Sequence, residues 1–313
     1  MDVADLKTFE AVARHGSMSK AAAELHTVQS NITARIRALE DELGLPLFQR
    51  HARGVTVTPA GRRILPFVGK IARLIEEVRT AARDDGAPSG PLVLGSLETT
   101  TALRLSPLLT AFTRSWPDVR LVVSTGTTAH LLQDVVECRL EGAFVAGPID
   151  HPDLHRELVF TEELVLVTSP AVRSLADLTK TPDLRTIVFQ FGCSYRQRLE
   201  AFLAGHGIVA AKPLEFGSLD AIVSCTAAGV GVTLLPKGVV APAFEAGKVA
   251  VHRLPREFAL VDTLFIRRHD GYVSSALTAF LEMTRRAYAA PKAGRAAKAK
   301  PVAAKKMAGS LAG

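Results

Sequence analysis

Two groups of side chains in this chain have the types and spacing to do chemistry. The first is Gln29, Ser30, Asn31, Thr33 and Arg37, short amide and hydroxyl tips with one guanidinium. Laid out at about 100° per residue, Ser30, Thr33, Ala34 and Arg37 share one side of a helix, with Gln29 and Asn31 flanking it. Such tips hydrogen-bond base edges, and Gln or Asn can pair bidentately with adenine. Arg50 and Arg53 follow within QRHARGVTVTP, where cations suit phosphates or a narrow minor groove. The second group is Thr99, Thr100, Thr101, Thr127, Thr128, Cys193, Ser194 and Ser218. Each falls between a predicted strand and the helix after it. Hydroxyls and N–H groups at helix N-termini form a site for a carboxylate or another oxyanion. Capping alone would also place Ser and Thr there; as a set they favour a ligand site.

Positioning the first group takes two helices around a tight corner. Val28, Ile32, Ile36, Leu39 and Leu43 recur at helical spacing and predict one apolar stripe, with Thr27 as the cap. Upstream, Ser19 is the expected cap of a helix over 20–26. Leu6, Phe9, Val12 and Ala13 mark an amphipathic first helix that breaks at Gly16. Leu47 and Phe48 plug the bundle, and a β-ribbon turning at Gly54 presents the arginines. A plain three-helix bundle would show the same periodicity. The basic ribbon behind it is what favours a winged helix-turn-helix in a DNA major groove.

Positioning the second group takes α/β lobes. From Pro91 onward, short Val, Leu and Ile runs alternate with helices in two blocks, which suits strands buried on both faces of a mainly parallel sheet. EELVLVTS at 162–169 and LVDTLFIRR at 260–268 carry the chain to a second lobe and back, leaving a cleft. The fold class is therefore α+β multidomain. A winged helix-turn-helix occupies 1–58 and a linker helix 59–85. A two-lobed, periplasmic-binding-protein-like α/β domain fills 91–290, with lobe I at 91–162 and 268–290 and lobe II at 163–267.

ALEDELGLPLFQRHARGVTVTPAG, joined to the helix pair, resembles the N-terminal domain of LysR-type transcriptional regulators. GSLETT, STGTT, GAFVAGPIDHP and FGCSYRQRLE look closest to the YofA/SoxR-like branch of that family's effector domains, so the resemblance covers residues 2–290. It implies that Gln29, Ser30, Thr33 and Ala34 face bases and that Arg53 reaches the minor groove. Ala34 stands where many members carry a longer polar residue, and Ser30 where many carry proline. It also implies double-stranded promoter or operator DNA and a small-molecule effector as partners. Homodimers that pair into homotetramers follow too, with RNA polymerase as a further candidate. For the effector site, Thr99, Thr100 and Thr127 match best.

Thr58 caps and Pro59 opens a helix predicted to run to about Arg83, roughly 37 Å at 1.5 Å per residue. Its seam of Ile64, Val68, Ile71, Ile75 and Val78 needs a partner, and a second subunit is the obvious one; packing on its own chain is the alternative. Pro66 predicts a kink. The net charge is +7, yet residues 291–313 alone hold six basic and no acidic residues. That Ala/Lys tail reads as disordered, adding salt-sensitive attraction to DNA or only solubility.

The three cysteines are far apart, and neither a disulfide framework nor a zinc spacing emerges. Cys193 at a helix start would have a lowered pKa, but only Cys225 lies in the same lobe, and a small pocket-lining role fits better. With no export signal and no apolar run long enough to span a bilayer, a cytoplasmic protein without membrane partners is expected. No Walker-A loop, G-x-S-x-G or H-E-x-x-H occurs, so no catalytic residue, metal or cofactor is expected. His151, Asp153 and His155 read as a solvated turn. Two rival functions remain: an enzyme, and an architectural DNA-binding protein that senses nothing.

Overall fold

A computed structural model describes residues 1–51, 54–179, 181, 183–208 and 211–288. The expectations for Arg53 and for the tail at 291–313 fall outside these residues.

Helix α1 (Val3–His15) starts from an Asp2–Asp5 capping box and ends at Gly16, whose φ of 59° reverses the chain. Helix α2 (Met18–Glu24) is capped by Ser17, not by the expected Ser19: Ser17 Oγ accepts from Lys20 N–H at 3.3 Å. Ser19 sits inside the first turn and instead donates to Gln29 Oε1 at 3.0 Å. Helix α3 (Gln29–Leu43) has Val28 at its N-cap position, so Thr27 lies one residue too early to cap it. The Thr27 hydroxyl accepts from Asn31 Nδ2 at 3.0 Å.

Ile32, Ile36 and Leu39 are buried as the periodicity predicts, but Val28 (64% exposed) and Leu43 are not. They flank the helix ends, beyond the reach of the bundle core. Phe9 and Phe48 meet there with ring centroids 5.2 Å apart. Strands β1 (Phe48–His51) and β2 (Gly54–Val57) pair antiparallel as the wing. Glu40 of α3 fixes its base by accepting from Leu47 and Phe48 N–H at 2.7 and 3.1 Å.

Helix α4 (Pro59–Arg83) begins where Thr58 accepts from Gly61 N–H and donates to the Pro46 carbonyl. The expected single seam divides in two. Val68 is buried, and Ile64 and Leu65 pack beside it in the N-terminal core. Phe67, Ile71, Leu74 and Val78 form a separate exposed row. Periodicity detects apolar rows without saying that two lie side by side.

The larger domain runs β3 (Gly90–Ser96), α5 (Glu98–Thr100), a π-helical turn over Thr101–Leu105, α6 (Ser106–Ser115), β4 (Val119–Thr125), α7 (Thr128–Val136) and β5 (Gly142–Ala146). The long β6 (Leu154–Thr168) leads to α8 (Leu175–Leu178), β7 (Arg185–Phe189), α9 (Ser194–Gly205), β8 (Ala211–Phe216), α10 (Leu219–Ala227) and β9 (Thr233–Pro236). Then come α11 (Lys237–Glu245), β10 (Ala250–His252), α12 (Arg256–Ala259), β11 (Leu260–Arg268) and α13 (Ser275–Tyr288).

In lobe I, β3 lies parallel between β4 and β5, and β11 lies antiparallel between β5 and β6. The residues of β6 up to Glu163 pair with β11; those from Leu164 pair antiparallel with β9 and β10 in lobe II. Parallel β7 and β8 complete lobe II through a Thr186–Val232 bridge.

The outward crossing thus sits inside one unbroken strand. The return crossing, expected at 267, lies instead at Leu260, because β11 is hydrogen-bonded to lobe I strands along its length. Phe112, Phe144, Phe265 and Phe280 pack edge-to-face at the centre of lobe I. A second core runs from Leu131 and Val135 of α7 to Leu199 and Leu203 of α9, so apolar packing spans the two lobes.

Candidate functional site

The polar face of α3 is presented to solvent. Gln29, Ser30, Asn31 and Arg37 are exposed and Thr33 is half-buried. Two contacts orient this face before any partner arrives. The Ser19 hydroxyl holds the Gln29 amide oxygen and leaves the Gln29 NH₂ unbonded among the described residues, and the Thr27 hydroxyl holds the Asn31 NH₂. Arg35 is spent elsewhere, bonded to Asp5 at 2.9 Å and locking α3 to α1. Arg37 and Arg50 make no ion pair among the described residues, so both charges remain available to phosphate.

The wing is pinned by the Val55 N–H to the Gly16 carbonyl at 3.0 Å. Gly54 has φ 134° there, and a Cβ on it would lie 2.6 Å from Gly16 O. Only glycine fits this approach. Sequence periodicity assigned Val28 to the core; the structure puts it beside Gln29, a 64%-exposed apolar group on the same end of the helix.

In the larger domain, Thr99, Thr127, Thr128, Cys193 and Ser194 line one cavity of about 120 Å³ between the lobes. Leu97, Phe189 and Phe216 supply apolar walls, and Glu98, Gln190 and Tyr195 join them. Thr100, Thr101 and Ser218 do not line it. Thr100 is buried away from it, Thr101 donates to the Leu97 carbonyl at 3.1 Å, and Ser218 is exposed without a side-chain capping bond. A strand-to-helix turn exposes only one or two residues to the cleft, and the helix rotates the rest away.

The helix ends around this cavity differ from an open oxyanion site. Ala129 N–H at the start of α7 donates to Gly192 O of the opposite lobe at 3.2 Å. The next N–H, of His130, goes to Thr127 Oγ1 at 3.4 Å. Leu219 N–H at the start of α10 donates across the cleft to Glu98 Oε1 at 2.9 Å. Gly192 has φ 90°, and a Cβ there would strike Ala129 Cβ at 2.7 Å. At α7 and α10 the chain's own oxygens thus answer donors that an incoming carboxylate was expected to meet, whereas at α9 the N–H groups of Tyr195 and Arg196 face Cys193.

Ser194 Oγ is buried without a hydrogen bond to protein, and the buried Tyr195 hydroxyl has only Thr99 beside it, in a contact too loose to be a full hydrogen bond. Burial pushes the Tyr195 phenol up to about 12, so it stays a neutral donor. Burial likewise raises the Cys193 thiol, outweighing the N–H groups of Tyr195 and Arg196 that favour its thiolate. The lowered pKa expected for Cys193 is therefore reversed. Cys193 is a small apolar wall of the cavity, and Cys225 packs in a different core cluster.

Tyr195 is expected at the cleft from the sequence, at the same strand-to-helix turn as Cys193 and Ser194, whereas Glu98 and Gln190 were not singled out as ligand contacts. The triplet CSY offered a signal for Tyr195. Glu98 offered none, because its partner lies 121 positions away.

From the cavity, α7 runs to the junction with the linker helix. At its far end Asp134 accepts from Arg139. Arg73 of α4 lies close by, its charge felt by Glu10 of α1 as well as by Asp134, Cys138 and Arg139. Among the described residues no cluster of His, Cys, Asp and Glu could hold a metal, and no helix is long and apolar enough to cross a membrane.

Residues 3–62 match the bacterial regulatory helix-turn-helix protein, lysR family, and residues 85–289 match the LysR substrate binding domain. The chain is similar to the HTH-type transcriptional regulator GltR of Bacillus subtilis (strain 168), 44% identical over 285 residues that cover 90% of this chain and 95% of that one. It is also similar to the HTH-type transcriptional regulator YofA of Bacillus velezensis, 42% identical over 281 residues, 90% and 96% of the two chains. Full-length CbnR, solved in complex with its target DNA, has a similar fold. Its TM-score is 0.65 at 26% identity, over 92% of this chain and 100% of that one.

Proposed function

The chain belongs to the LysR family of bacterial regulatory helix-turn-helix proteins, and on that premise we propose which of its surfaces read DNA and which take the effector. It is a DNA-binding transcriptional regulator with an effector-binding C-terminal domain, and not an enzyme. In the proposal, α3 enters the major groove of a promoter. Gln29, Ser30 and Thr33 meet base edges, Asn31 sits at their flank, and Val28 touches a thymine methyl. Arg37, Arg50 and Arg53 hold phosphates or the minor groove. The protein works in the cytoplasm, where bacterial promoters are.

Two copies join through the exposed row Phe67, Ile71, Leu74 and Val78, whose 4-3-4 spacing is that of a coiled-coil seam. The effector occupies the cleft. It biases how the lobes sit against α7, and α7 passes that bias to Arg73 and the helix-turn-helix. Such coupling needs only a difference in affinity between two arrangements. The observation that carries the DNA assignment is the exposed α3 face, its amides held in place by Ser19 and Thr27.

The test is fluorescence anisotropy with an operator recovered from genomic fragments that the purified protein retains. Gln29→Ala should weaken operator binding by about 1–3 kcal/mol, roughly 5- to 150-fold, and leave random DNA nearly unchanged. Equal losses on both would move Gln29 to the backbone-contacting class and sink the base-reading assignment.

A further inference from the structure

We propose that the cleft selects a small ligand with an apolar body and an ammonium or other N–H donor, accepted by Glu98, and that it rejects carboxylates. The inference rests on the cleft being the effector site and concerns which chemistry it admits.

Among the described residues that line the cavity, Glu98 carries the sole charge; no Lys, Arg or His faces it. Its Oε1 is bound to Leu219 N–H, Glu98 itself lines the cavity, and no bond to Oε2 occurs among the described residues. A carboxylate entering here would be stripped of water beside a like charge. It would also find two of the three helix ends already occupied, by Glu98 at α10 and by Gly192 O at α7, with only the end of α9 beside Cys193 uncapped by oxygen. An ammonium meets the reverse situation, a carboxylate in a partly apolar setting where charge attraction is stronger than in water.

The remaining lining completes the description. Leu97, Phe189 and Phe216 fit a ring or short alkyl group. Ser194 Oγ is a buried hydroxyl without a partner, and Tyr195 Oη, on a side chain only 4% exposed, has just a loose contact with Thr99. Buried polar groups of this kind require a hydrogen bond from some source. They suit a neutral acceptor on the ligand, a carbonyl or ether oxygen; Arg196 and Arg198 act on Cys193 and Tyr195 from outside the lining, and neither enters it to pair a full negative charge.

The probes are benzylamine, benzyl alcohol and benzoate, which share a ring and differ in charge. Binding to the full-length protein is read by saturation-transfer NMR titration. Benzylamine should bind at least about tenfold tighter than benzoate, with benzyl alcohol between. Glu98→Gln keeps an oxygen for Leu219 N–H and so preserves the turn; it should erase most of that preference, weakening benzylamine and strengthening benzoate.

Benzoate binding as well as or better than benzylamine to the wild type overturns the proposal and leaves the cleft a ligand site. An undiminished amine preference in Glu98→Gln overturns the assignment to Glu98. If no probe binds at about 10 mM, weaker than millimolar affinity, the effector-site reading falls and the proposal falls with it.

Discussion

Replacing Glu141 with Gln should stabilise the protein at pH 8 and do little at pH 4.5. Glu141 stands at the start of β5, its Oε1 accepting from Val93 N–H at 3.1 Å. Burial pushes its carboxyl to about 7, against the lowering influence of that N–H and with repulsion from Glu77 of the linker helix. In the unfolded chain the same group titrates near 4.5. Below that pH both states hold the proton and nothing is lost. Between 4.5 and 7 the unfolded state releases its proton while the native state keeps it, so stability falls as pH rises and levels off above 7.

The interval from 4.5 to about 7 corresponds to at most about 3.4 kcal/mol, at 1.36 kcal/mol for each tenfold change in proton affinity; residual solvent access lowers the figure. Gln keeps the acceptor for Val93 and carries no charge, so the variant should regain up to that amount at pH 8. Urea unfolding of both proteins at pH 5, 6, 7 and 8 measures it. Two curves that run parallel across this range would refute the reasoning, since the difference must grow with pH.

Two other substitutions test separate parts of the molecule. Leu74→Asp puts a charge in the middle of the exposed α4 row, twice across a two-fold axis; the subunit dissociation constant should rise by at least about 100-fold, seen as a halved mass in light scattering. An unchanged mass would remove this row from the interface. Gly54→Ala forces a Cβ to within 2.6 Å of Gly16 O at φ 134°, so it should cost about 1–3 kcal/mol and weaken operator binding. A melting temperature within about 1 °C of wild type would show that the wing can move aside.

What could be read in advance follows from how local each feature is. Ile32, Ile36 and Leu39 announce their helix face by spacing alone, and Thr58-Pro59 announces a helix start because cap and proline are adjacent. Caps proved harder: Ser17 and Ser19 are chemically identical, and only the placement of Gly16 decides between them. The two apolar rows of α4 overlap in sequence, so spacing merged them.

The cleft was legible as a set of strand-to-helix turns, which brought Thr99, Thr127, Thr128, Cys193 and Ser194 to one place. Its polarity was not. The oxygens that fill the helix ends come from Glu98 and Gly192, residues distant in sequence from the N–H groups they meet. The apparent activation of Cys193 failed for a similar reason, since burial by remote residues outweighs the two N–H groups beside it.

The unbroken course of β6 through both lobes has a mechanical consequence. A strand paired along both of its halves resists sharp bending, which confines the lobes to small twists. The linker helix makes a small twist sufficient. Its 25 residues form an arm of about 37 Å, and tilting that arm by only 5° carries its far end about 3 Å, close to the rise of one DNA base step. A protein built this way has no use for a wide-opening jaw. In the proposed binding mode, a tilt of that size would move the helix-turn-helix by about one rung of the duplex.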